Sequence, residues 1–110
     1  MSKRLTERYD VERIRLKPET EESHRRLIAI IDTLRPGGST YHILAQTPDN
    51  DSELIVVLID DQAVVSFELA LSLSIPQEVK IYTFDEYRHA IGQGRSRILL
   101  DLAAQAGRTG

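Results

Sequence analysis

Apolar residues recur along this chain with two different periods, and the change between them marks out its elements. Leu27, Ile30, Ile31 and Leu34 follow the three-and-four spacing of one helix face. Thr20, followed by Glu21 and Glu22, suits the start of that helix, because a hydroxyl caps free N–H groups and carboxylates favour the positive end of the dipole. Pro36-Gly37-Gly38 ends it. Residues 41–46 and the aliphatic run 54–59 then flank the turn-rich Thr47-Pro48-Asp49-Asn50-Asp51, which predicts a β-hairpin whose second strand is buried on both faces.

Residues 63–75 decide the fold class. Read as a strand, Val65, Phe67, Leu69, Leu71, Leu73 and Ile75 point one way, with Ser66, Glu68, Ala70, Ser72 and Ser74 opposite. Read as a helix, the same residues leave no polar face. The strand reading makes Asp60-Asp61-Gln62 a tight turn and leads through Pro76-Gln77 into a fourth strand over residues 79–83. Thr83 with Glu86 three residues later is a capping-box pattern that opens a helix running to Ile91. After Gly92-Gln93-Gly94, a last helix turns Ile98, Leu99, Leu102, Ala103 and Ala106 inward and ends at Gly107. The expected fold is α+β: an N-terminal helix, a four-stranded, mainly antiparallel meander and two C-terminal helices. Its alternative is an α/β arrangement with residues 61–75 helical.

Length and charge refine this picture. With 110 residues, the expectation is a charged N-terminal arm over residues 1–17, with a short extended piece at 14–17, and one α+β domain over 18–107. The start of the chain is charged rather than apolar, and the longest aliphatic run is only residues 54–59. No secretory signal or membrane span is expected, and a cytoplasmic location is the default. The absence of cysteine excludes disulfides, thiolate metal sites and a cysteine nucleophile. Aromatics make up 5% with no Trp, which disfavours a base-stacking platform. The net charge of −3 argues against a dedicated nucleic-acid binder. The charge is nevertheless uneven: six basic to three acidic residues over 1–17, two to ten over 32–87, and four to one over 88–110.

Two segments carry candidate chemistry. Asp49, Asp51 and Glu53 stand at two-residue spacing, which in extended chain sets carboxylates on one side as a hard cation requires. Gly92, Gly94, Arg95, Ser96 and Arg97 bring flexible backbone, a helix start and two guanidinium groups together, a pattern suited to an anion. His24, His42 and His89 fall in no zinc or triad spacing. His24 shares a helix face with Leu27, Ile28 and Ile31, as a half-buried packing residue does, and His42 would meet Ser39 or Ser66 only if the strand order allowed it.

Two short patterns carry resemblances. Pro48-Asp49 with Glu78-Val79-Lys80 resembles the signature of the PD-(D/E)xK nuclease superfamily, which implies a divalent ion held by the two acids, a Lys assisting attack on phosphate, and adjacent strands for the two halves. Asp51-Ser52-Glu53 and the following 54–58 look like the Asp-x-Asp strand of minimal nucleotidyltransferases, with Gly38-Ser39 upstream and Glu53 where Asp is usual. That resemblance implies nucleotidyl transfer and requires residues 63–75 to be helical. No cofactor is expected. The functional expectation is a non-enzymatic protein-binding or regulatory module, acting as a homodimer through an edge strand or an apolar sheet face left uncovered by helices. The alternatives are phosphate-ligand or nucleic-acid binding through Arg95, Arg97 and the basic arm, and a degenerate nucleotidyltransferase-like domain.

Overall fold

A computed structural model describes residues 11–70 and 75–109. Its element order is α1 (Val11–Ile14), α2 (Glu22–Leu34), β1 (Tyr41–Asp49), β2 (Ser52–Ile59), β3 (Ala63–Ala70), β4 (Pro76–Thr83), α3 (Phe84–Ile91) and α4 (Arg95–Thr109). The strands form one sheet in the order β1-β2-β3-β4, each neighbouring pair antiparallel. This is the expected α+β meander, and the helical alternative for residues 61–75 is removed by β3. Leu71, Ser72, Leu73 and Ser74, like residues 1–10, lie outside the described residues.

From Ile55 to Ile59, β2 is buried on both faces because helices cover both, while Leu54 stays exposed. Ile55, Val57 and Ile59 join Val65 and Phe67 of β3, Tyr41 of β1 and Leu16 beneath Leu27, Ile28, Ile30, Ile31 and Leu34 of α2. The other face gathers Val56, Leu58 and Val64 under Leu100, Ala103 and Ala104 of α4, with Tyr82, Phe84, Tyr87 and Ile91 alongside. A sheet sandwiched in this way buries the alternating residues of its central strands twice over.

Three local expectations need correction. Thr20 does not cap α2: its N–H bonds the Lys17 carbonyl at 3.2 Å in a preceding turn, and Glu21 occupies the cap position without a side-chain bond. The inward stripe of α4 is Leu100, Ala103 and Ala104, while Ile98 stays 44% exposed. Small residues decide that rotation. A Cβ on Gly107, the next position of the stripe, would meet the Asp60 carbonyl oxygen at 2.7 Å, so glycine lets α4 close onto the β2–β3 turn. α4 also runs past Gly107, to Thr109. Finally, residues 11–16 do more than lie on the surface. Arg15 bridges His42 of β1, and the Leu16 N–H donates to the Tyr41 carbonyl at 2.9 Å with its side chain buried. The extended piece expected at 14–17 is shorter than that: Ile14 ends α1, and the added pairing against the sheet edge is the single bridge at Arg15 with the Leu16 bond beside it.

The Asp60-Asp61-Gln62 turn fastens the chain at one end of the sheet. Asp60 adopts φ 55° and its carboxylate accepts from the N–H groups of Ser39 and Thr40 at 3.1 and 2.7 Å. Asp61 accepts from Arg108 of α4 at 2.7 Å. The Gln62 carbonyl accepts from the Phe84 N–H at 2.8 Å, where α3 begins. The capping box at that start is complete: the Thr83 hydroxyl accepts from the Glu86 N–H at 3.1 Å and the Glu86 carboxylate from the Thr83 N–H at 2.8 Å.

Candidate functional site

The acidic segment does not form one extended run. The chain reverses at Asn50 and Asp51, with Asn50 at φ 53° closing a hairpin in which Asp49 pairs with Ser52 and Pro48 with Glu53. Asn tolerates that left-handed position better than most residues. Glu53 accepts a hydrogen bond from the Gln46 amide at 2.7 Å across the hairpin, and the Asp49 side chain lies outside the described residues. Among the described residues no three metal-ligating side chains converge.

Gly92 and Gly94 lie in the link between α3 and α4, and Arg95, Ser96 and Arg97 form the first turn of α4. Gly92 at φ 69° and Gly94 at φ 122° hold conformations that favour glycine. The Arg97 guanidinium donates to the Gly92 carbonyl at 3.5 Å, while Arg95 and Ser96 are exposed. The neighbouring cations are also engaged within the chain. Arg88 donates to both Asp101 oxygens at 2.8 and 3.1 Å, joining α3 to α4, and this fork holds the Asp101 carboxyl below its usual range. Arg108 is bound to Asp61.

The enzyme resemblances lose their geometry. Pro48 and Asp49 stand on β1, and Glu78, Val79 and Lys80 on β4, at opposite edges with β2 and β3 between them. The nuclease pattern needs adjacent strands. The nucleotidyltransferase pattern needs a helix where β3 stands. His42 and Ser66 are separated by β2, about 9.5 Å at ordinary strand spacing. His42 is instead a core residue, 1% exposed, with neither ring nitrogen hydrogen-bonded among the described residues. Burial lowers its pKa, Arg15 pushing the same way and Glu12 against. His24 accepts the Lys17 N–H at 2.8 Å and holds the turn before α2.

The feature that stands out is the apolar edge. By register, Ile43, Val57, Val65 and Ile81 form one row across all four strands on the α2 face. Val57 and Val65 are wholly buried beneath α2, yet Ile81 at the end of the row is 49% exposed. Val79, two residues back, is 39% exposed, and Ile75 at the strand's entrance is also bare. α2 packs on β1, β2 and β3, and the cluster beneath it includes no residue of β4. On the opposite face Tyr82 is covered, meeting the Tyr87 ring at 5.6 Å between centroids. Among the described residues β4 is thus an edge strand covered on one face and uncovered on the other. The sequence shows the alternation of Val79 and Ile81 with Lys80 and Tyr82, but not that α2, on the same face, stops short of them.

No known protein family matches the chain, and neither the curated proteins nor the solved structures contain a match. No helix among the described residues is long and apolar enough to cross a membrane.

Proposed function

We propose that this protein is a non-enzymatic protein-binding module that acts as a homodimer, joined through the β4 side of its sheet. The observation that carries this reading is the row Ile43, Val57, Val65, Ile81, which is buried through β2 and β3 and emerges bare at an edge that no described residue pairs with. An edge strand offers unpaired backbone groups, and apolar side chains beside them supply the burial that turns strand pairing into stable association. A two-fold dimer is the simplest assembly that covers the same patch on both copies.

Sedimentation equilibrium tests it. The chain is expected to sediment as a dimer at concentrations on the order of tens of micromolar, and the variant Ile81→Glu as a monomer with unchanged far-ultraviolet circular dichroism. A wild-type monomer throughout that range overturns the reading.

A further inference from the structure

The β4 edge also carries the information that sets how two copies would align. The β3–β4 ladder is irregular between Ser66 and Glu68: Ser66 pairs with Lys80, but Glu68 pairs with Gln77, so β4 holds an extra residue there. Glu78 takes φ 51°, a left-handed conformation uncommon outside glycine and typical of a bulge. A bulge ends regular pairing. At the other end Thr83 caps α3. The regular part of β4 is therefore residues 80–83, with Val79 and Glu78 filling the irregular step, so a second strand can use at most residues 79–83.

Symmetry narrows the register. In an antiparallel pair formed about a two-fold axis, residues directly opposite lie on the same face, so the axis must pass through a residue position rather than between two. An axis at Val79 drives Ile81 against Gln77, beyond the bulge. An axis at Lys80 sets two ammonium groups opposite each other, which destabilises a pair. An axis at Tyr82 brings the helical residue Phe84 into the ladder. An axis at Ile81 pairs Lys80 with Tyr82 inside the regular stretch, sets Val79 against Thr83 at its margins, and opposes no like charges.

Resting on the homodimer reading above, we propose that the two copies pair along residues 79–83 with Ile81 on the two-fold axis. Ile81 then faces its own copy, and Val79 faces Thr83 of the second copy on the α2 side. The apolar row continues without a break from one sheet into the next. On the other side Lys80, the single charge in the segment, faces Tyr82 of the second copy. Its ammonium points toward the ring and the acidic first turn of α3, which carries Asp85 and Glu86. This match of one cation to an acidic helix start favours a second copy over an unrelated strand as the occupant.

The cysteine-free sequence makes the register directly testable. Val79→Cys, Lys80→Cys and Ile81→Cys each introduce one thiol at an exposed position, and circular dichroism confirms folding. A disulfide needs Cα atoms within about 7 Å, a distance that only a residue on the axis meets with its own copy in such a ladder. Under a glutathione redox buffer, Ile81→Cys is expected to form covalent dimers about tenfold faster than the other two variants. Fastest crosslinking at 79 or 80 overturns the register while leaving the homodimer standing. Equal, slow crosslinking of all three, with wild type sedimenting as a dimer, shows that the dimer forms elsewhere and also overturns it. A wild-type monomer overturns both. As an independent readout, Lys80→Glu is expected to weaken dimerisation, and an unchanged dimer counts against the placement of Lys80 beside the acidic turn.

Discussion

The sheet has two edges, and the chain treats them differently. At β1 the apolar half is covered: Arg15 pairs with His42, Leu16 buries its side chain against α2, and His42 sits beneath the surface. The remaining half of β1 is polar and contains Pro48, which has no N–H to offer a neighbour. At β4 the same kinds of protection stop early. Pro76 and the bulge at Glu78 blunt the first residues, and beyond them Val79 and Ile81 stay bare. The chain closes one edge and, among the described residues, leaves the other open, and that difference is what the homodimer proposal builds on.

The contrast can be broken most forcefully from the closed side. Leu16→Ala removes a buried anchor shared by α2 and β1, and is expected to lower unfolding stability by about 2–5 kcal/mol in a urea titration. A loss below about 0.5 kcal/mol would show that the closing segment is ornamental.

His42 gives the next effect. Above pH 6.5, the ordinary histidine value, both the folded and the unfolded chain keep this ring neutral. Below that value the unfolded chain takes up a proton that the buried, Arg15-facing ring resists, so stability falls as pH drops, by at most about 1.4 kcal/mol per pH unit for one proton. His42→Phe, which replaces an unsatisfied ring by an apolar one of similar shape, is expected to flatten that part of the profile at little cost near pH 7. An unchanged profile would mean that His42 finds a proton acceptor.

The smallest effect on folding belongs to the open edge. Ile81→Thr keeps a β-branched strand former while trimming the apolar row. It is expected to shift the monomer's stability by less than about 0.5 kcal/mol, yet to weaken association. Equal losses of folding and association would make β4 an ordinary core strand.

How far these edges were legible before the structure depends on distance along the chain. The alternation at Val65, Phe67 and Leu69 announced β3 because its period is local, and the Thr83 and Glu86 capping box is complete within four residues. Thr20 misled because its N–H found Lys17 first. The spacing points Ile98 and Leu99 inward and passes over Leu100, and only the approach of Gly107 to Asp60, across nearly half the chain, shows how α4 is turned. The bare edge was foreseeable as a kind of feature, since any meander has edges and this face looked longer than its helices. Its location on β4 was not, because nothing local to Ile81 reveals where α2 comes to rest. The Gly92 to Gly94 linker and the acidic hairpin were legible as loops, but the ion pairs that engage Arg88 and Arg108 join residues on different elements.

The first two hairpin turns would also accept foreign sequence very unequally. The one at Asn50 and Asp51 projects from the sheet end, so a peptide tag or a fluorescent reporter spliced there lengthens a loop and little else. The one at Asp60-Asp61-Gln62 is a knot of anchorages for β1, α3 and α4. Splicing there would cut the molecule at the point where its separate pieces are tied together, and a reporter meant to watch the β4 edge at work belongs at Asn50.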